Sequence, residues 1–210
     1  MKNLVEIQGL VKAYDSRTIA VNNLTLAIPR GKIIGLLGPN GSGKTTLIKM
    51  LNGLLAPTQG SILINGVEPG PETKTMISYL PERTYFDNGR TIIELVDFFA
   101  DFYADFSKER ALEMFANLGI NTKAKLKTLS KGTKEKVQLI LVMSREAQLY
   151  ILDEPIAGVD PAARDYILKT IISNYCPDSL VIICTHLIAD IESVLDEVVF
   201  LKNGRIVLHG

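Results

Sequence analysis

The rhythm of apolar and polar positions changes along the chain, and each change predicts a different element. The first thirty residues read as strands. Val5, Ile7 and Leu10 are apolar among polar neighbours, and Leu24-Thr25-Leu26-Ala27-Ile28 alternates before Pro29-Arg30-Gly31 stops it. Ile33-Ile34-Gly35-Leu36-Leu37 has no polar side chain, as expected of a buried strand. A helix is predicted from about Lys44 to Asn52, closed by Gly53. Pro57, Gly60, Gly66, Pro69, Gly70 and Pro71 then punctuate a turn-rich stretch holding one short strand, Ser61 to Asn65. Ile77-Ser78-Tyr79-Leu80 is another short strand, ended by Pro81.

From about Thr91 to Arg145 the period is helical. Leu95, Phe98, Phe99, Phe102 and Phe106 fall at three- and four-residue steps. A second helix covers about Lys108 to Leu118, and a third starts after Ser130 and runs to Ser144. Strands return at Leu149 to Leu152, Leu180 to Cys184 and Val198 to Leu201, with helical segments between them. Asn203-Gly204-Arg205 lies between two apolar runs and predicts a hairpin. Strand–helix alternation interrupted by an all-helical stretch predicts an α/β core with a helical subdomain at about 84–145, within a single domain spanning 1–210. No internal repeat and no long linker divides the chain.

Composition narrows the picture. Lys plus Arg and Asp plus Glu number 23 each, so the net charge is zero. That argues against a protein whose main task is gripping bare nucleic acid. Cys176 and Cys184 have neither metal-ligand spacing nor a disulfide framework. The N-terminus lacks the apolar run of a signal peptide, and the longest apolar runs are too short to span a bilayer. A cytoplasmic chain is expected, whose membrane role, if any, comes through a partner.

Two sequence features carry chemistry. Gly38-Pro39-Asn40-Gly41-Ser42-Gly43-Lys44-Thr45 fits G-x-x-x-x-G-K-[ST] between a buried strand and a helix. Its glycines let backbone N–H groups turn around a β-phosphate, Lys44 reaches β- and γ-phosphate oxygens, and the Thr45 hydroxyl suits magnesium. The helix that starts there points its positive end at the phosphates. The second feature is Leu149-Tyr150-Ile151-Leu152-Asp153-Glu154, four apolar residues and then two acids at the carboxyl end of a strand, where open α/β sheets bind ligands. Burying an acid there calls for a cation or a hydrogen bond. Asp153 is therefore the expected magnesium partner, direct or through water. Glu154, one residue on, suits a general base on the attacking water.

With these motifs in this order, the sequence resembles, over essentially all its 210 residues, the ATP-binding subunit of an ABC transporter. The resemblance implies the P-loop NTPase fold in its ABC ATPase form, with an N-terminal antiparallel β subdomain beside the α/β core. It implies ATP and Mg2+ as ligands, with Pro39, Asn40, Ser42 and Thr46 joining the loop residues around the nucleotide. Tyr14 holds the position of the aromatic that stacks on adenine; the alternative is a core tyrosine. Leu129-Ser130-Lys131-Gly132-Thr133 holds the place of the family's Leu-Ser-Gly-Gly-Gln. The resemblance implies that Ser130 and Gly132 face the γ-phosphate bound by a second subunit; the alternative is an ordinary serine N-cap. Lys131 and Thr133 depart from the family pattern, and Lys131 either adds charge at the dimer seam or points to solvent. Glu82 replaces the glutamine that touches magnesium and the attacking water, in a Pro-Glu form that resembles exporters; a surface acid is the alternative. Asp160, in Ala157-Gly158-Val159-Asp160, would cross the dimer interface. His186 matches the switch histidine at the γ-phosphate, where a structural histidine is the other reading.

The implied function is ATP hydrolysis at Glu154, coupled through homo- or heterodimerisation to a separate transmembrane permease subunit at the inner face of the membrane, with export preferred. Two rival classes remain: a soluble ATPase of the same kind acting on nucleic acid or ribosomes, and a small-molecule kinase. Tyr85, Phe86, Phe98, Phe99, Phe102, Tyr103 and Phe106 make up half of the fourteen aromatics. They read as the core of the helical subdomain, or in part as a groove for a helix of the membrane subunit. Lys123, Lys125, Lys127, Lys131, Lys134 and Lys136 read as a solvated face, or as a surface attracted to phosphate or the inner membrane leaflet.

Overall fold

The computed structural model describes residues 3–15, 17–83, 86–156 and 161–210, with the side chains of 161–163 left aside. Three antiparallel strands open the fold: β1 (Asn3–Ala13), β2 (Ile19–Pro29) and β4 (Gln59–Ile64), in the order β2-β1-β4. The second sheet holds β3 (Lys32–Leu37), β5 (Ile77–Leu80), β6 (Leu149–Asp153), β7 (Leu180–Cys184), β8 (Glu197–Lys202) and β9 (Arg205–His209). Its order is β5-β6-β7-β3-β8-β9; all pairs are parallel except β8 with β9. The β8–β9 hairpin turns through Asn203 and Gly204, both at positive φ, as a two-residue turn requires.

Helix α1 (Lys44–Leu51) lies in the apolar layer between the sheets. Its buried Leu47, Ile48, Met50 and Leu51 share one core with Val5, Ile7 and Ile28 of the antiparallel sheet and Ile34, Leu36 and Ile182 of the parallel one. The far face of the parallel sheet is covered by helices. Helices α3 (Ile92–Phe102), α4 (Lys108–Asn117) and α5 (Lys131–Met143) follow β5 in sequence, and α6 (Pro161–Asn174) follows β6. Their apolar faces close a second core around Tyr150, Leu152 and Ile183. No helix among the described residues is long and apolar enough to cross a membrane.

The observed bounds sit within a few residues of the predicted ones, with two differences. The turn-rich stretch contains a short helix, α2 (Pro71–Met76). Proline at its first position pre-sets φ, and Thr73 Oγ1 accepts the Gly70 N–H at 2.9 Å. Six residues are too few for a periodic signal. Helix α3 stops at Phe102, so Phe106 is not on its face, yet Phe106 still packs on Phe99 with ring centroids 5.5 Å apart. Phe86, Phe99, Tyr103 and Phe106 join the core, whereas Phe98 and Phe102 stack on each other at the surface, 5.8 Å apart. Tyr85 lies outside the described residues.

One side chain pins the helices to the sheet. Arg145, just past α5, is buried and forks onto both Asp105 oxygens at 3.0 Å. It also donates to Ile77 O at 2.5 Å and Thr75 O at 2.9 Å, and stacks 3.8 Å from the Tyr103 ring centre.

Candidate active site

The sheet order brings the chemistry together. Strand β7 lies between β3 and β6, so the phosphate loop after β3, the acids ending β6 and the segment after β7 emerge side by side. They line a cleft of about 390 Å³ formed by Ala20, Asn40, Gly41, Gly43, Lys44, Thr45, Thr46, Glu82, Asp153, Glu154, Cys184 and His186. Ten of the sequence-predicted residues meet here.

The loop is built to approach a ligand with its backbone. Gly43 caps α1 at φ 107, and a Cβ there would lie 2.3 Å from the Ala20 carbonyl oxygen. The first-turn N–H groups of α1 have no intrahelical acceptor, which suits this helix start to an anionic ligand. Lys44 is buried, and its ammonium donates to Gly38 O at 2.7 Å and Pro39 O at 3.1 Å. Ser42 is also buried, and its Oγ has no protein partner.

Across from the lysine stand three carboxylates, Glu82, Asp153 and Glu154. Asp153 is buried; desolvation raises its pKa, a hydrogen bond with Cys184 opposes that, and the charges of Glu82 and Glu154 add to the rise. Burial and Asp153 together push the Cys184 thiol up. A site with more acid than base and an exposed Thr45 hydroxyl on the facing helix fits a hard divalent cation. Thr45 and Asp153, both in the cleft lining, present the oxygens that such a cation would need.

Glu154 turns away from the strand at φ 51, a left-handed conformation that costs a non-glycine residue energy. Its N–H donates to Cys184 O at 2.8 Å. Thr185 Oγ1 is 2.9 Å from one carboxylate oxygen, and His186 Nδ1 is 2.9 Å from the other. His186 is thus tied to the second acid rather than packed in the core, with its side chain 53% exposed.

Other predicted residues stand apart from the cleft lining. Tyr14 is 55% exposed, which removes the core alternative; its OH is 3.3 Å from Thr46 Oγ1 at the edge of the cleft. Ser130 caps α5 and accepts the Thr133 N–H at 3.2 Å, on an exposed surface outside the cleft. Gly132 is in the first turn of the same helix. Lys131 points to solvent, its side chain 83% exposed and 3.9 Å from Glu135. Asp160 lies outside the described residues. Sequence reasoning assigned no role to Ala20, Cys184 or Thr185. Ala20 carries no local signal, because it reaches the loop from a different sheet.

A strand, a glycine-rich phosphate loop, a helix and an acid pair on a neighbouring parallel strand define a P-loop nucleoside triphosphatase. The family model described as "ABC transporter" matches residues 21–157. An ABC transporter ATP-binding protein of Synechocystis, sll0415, is 30% identical over 99% of this chain, which spans 63% of that relative's length. The SkfA peptide export ATP-binding protein SkfE of Bacillus subtilis is 33% identical over 97% of this chain and 87% of its own. A solved structure described as the ATP binding subunit of an ABC transporter superposes with a TM-score of 0.87 at 31% identity, covering 99% of this chain and 89% of that one. The chain belongs to the ABC transporter family, as an ATP-binding, ATP-hydrolysing subunit.

Proposed function

We propose that this subunit hydrolyses ATP with Glu154 as general base and drives export through a separate transmembrane permease at the cytoplasmic face of the membrane. The observation that carries the reading is Glu154 itself, fixed by both oxygens in the same cleft as Lys44. Lys44 would exchange its two loop carbonyls for β- and γ-phosphate oxygens, and the N–H groups at the start of α1 would cradle the β-phosphate. Thr45 and Asp153, with Glu82 beside them, would hold magnesium, which offsets phosphate charge when bound. Tyr14 offers an open face for adenine. Glu154 accepts a proton from water as the water oxygen bonds to the γ-phosphorus and the bond to the ADP oxygen breaks. His186 would then turn from Glu154 toward the γ-phosphate.

The exposed N-terminus of α5, with Ser130 and Gly132, supports a head-to-tail pair in which each subunit covers the other's nucleotide, with Asp160 at the seam. Whether the two are identical copies or a heterodimer does not alter this geometry. Residues 1–210 then act as one ATP-binding unit, with about 84–145 as its inserted helical subdomain. Among the described residues, the stacked surface pair Phe98 and Phe102 is the part of the aromatic group left for the membrane subunit. The export direction follows the likeness to an export-type relative and the Pro81-Glu82 pair.

The test is Glu154→Gln. It should bind ATP with parent affinity, hydrolyse it roughly 10²–10⁴-fold more slowly, and elute as an ATP-dependent dimer in gel filtration. A variant that stays monomeric with ATP bound would remove the sandwich; unchanged turnover would remove Glu154 as base.

A further inference from the structure

We infer that Thr185 is a positioning residue for Glu154, its hydroxyl acting as a one-way donor that holds the carboxylate in place. The inference rests on the reading of Glu154 as the base. Thr185 is fully buried, and its Oγ1 lies 3.1 Å from Leu187 N and 2.9 Å from Glu154 Oε2. A hydroxyl has one proton to give and lone pairs to receive. The Leu187 N–H can only donate, and an ionised carboxylate can only accept, so the hydroxyl proton must point at Glu154. The bond is charge-assisted, which makes it stronger than a neutral one.

Three further observations show why this support matters. Glu154 sits at φ 51, a conformation its own backbone does not favour. Its other polar anchors also come from the end of β7 and the residues after it: Cys184 O on its N–H, and His186 Nδ1 on Oε1. Of these, His186 is largely exposed and free to leave when a nucleotide arrives, whereas Thr185 is buried and does not line the cleft. When His186 departs, Thr185 is the side chain that still fixes the carboxylate, keeping Oε2 occupied and Oε1 turned to the water. Thr185 touches neither phosphate nor base, so its loss should act on the chemical step and spare nucleotide binding.

The experiment compares Thr185→Val, Thr185→Ala and Thr185→Ser in steady-state ATP hydrolysis, with binding of a fluorescent ATP analogue as the check on folding. Valine and alanine should lower kcat by about 10- to 100-fold, as expected for a hydrogen bond to a charged group. KM, analogue affinity and the magnesium concentration for half-maximal activity should not change, and serine should restore most of the rate. Parent-like kcat in the valine and alanine variants overturns the inference. So does a serine variant as slow as valine, which would make shape rather than the proton the requirement. Loss of analogue binding in both valine and alanine would make the hydroxyl a folding contact and equally overturn it. Glu154→Gln run in parallel separates the layers. If that variant turns over normally, the base assignment fails; if it is inactive while Thr185→Val is not, only the role of Thr185 is lost.

Discussion

Gly41 and Gly43, two residues apart in the phosphate loop, are glycines for different reasons. Gly41 has φ 78 and nothing within 4 Å of an added Cβ, so alanine there meets only backbone strain of about 1 kcal/mol. Gly43 faces a backbone carbonyl at 2.3 Å, which cannot rotate away. Gly41→Ala should therefore keep saturable nucleotide binding, while Gly43→Ala should lose it; titration with a fluorescent analogue distinguishes them. The phosphate loop and the acid pair were legible in the sequence because each is a contiguous run whose spacing is itself the chemistry. His186 was legible only by position within a family pattern. Thr185 and Ala20 were not, because what they do depends on a neighbouring strand and on a second sheet that no local pattern specifies.

At the scale of elements, α3 shows how a terminus is fixed locally. Thr91 accepts the Glu94 N–H at 3.3 Å, and Glu94 accepts the Thr91 N–H at 2.7 Å and its hydroxyl at 2.8 Å. Thr91→Ala should cost about 1 kcal/mol, measured as a lower unfolding midpoint in urea. The Thr91 bonds hold Glu94 below its ordinary carboxylate pKa of 4.5. A depressed acid stabilises the fold above its unfolded pKa and loses that contribution as pH falls through the folded value. The destabilisation by Glu94→Gln should thus be full at pH 7 and shrink as the pH is taken below the usual glutamate range. Long periodic helices and wholly apolar strands were readable for the same reason: many residues vote for one face. The six-residue α2 and the early stop of α3 were not, since one proline and one change of direction decide them.

At the scale of the molecule, Arg145 joins three separate pieces of chain: the segment before α4, the start of β5 and the end of α5. Arg145→Met should leave Asp105 and two carbonyls without their donor and cost about 3 kcal/mol, read as a lower denaturant midpoint. Arg145→Lys should not recover the loss, because an ammonium cannot reproduce the planar fork. No periodicity marks Arg145 as a clamp; its partners lie 40 and 68 residues away in sequence.

The position of β7 has a mechanical consequence. Because that strand is hydrogen-bonded on both sides, the lysine-bearing and acid-bearing walls stand two ladder steps apart, roughly 10 Å. Prising them apart means tearing a parallel sheet. The cleft is thus a fixed gauge, and whatever stroke ATP produces has to be made by bodies that travel relative to it: loops at its rim, the helical layer, or a neighbouring molecule.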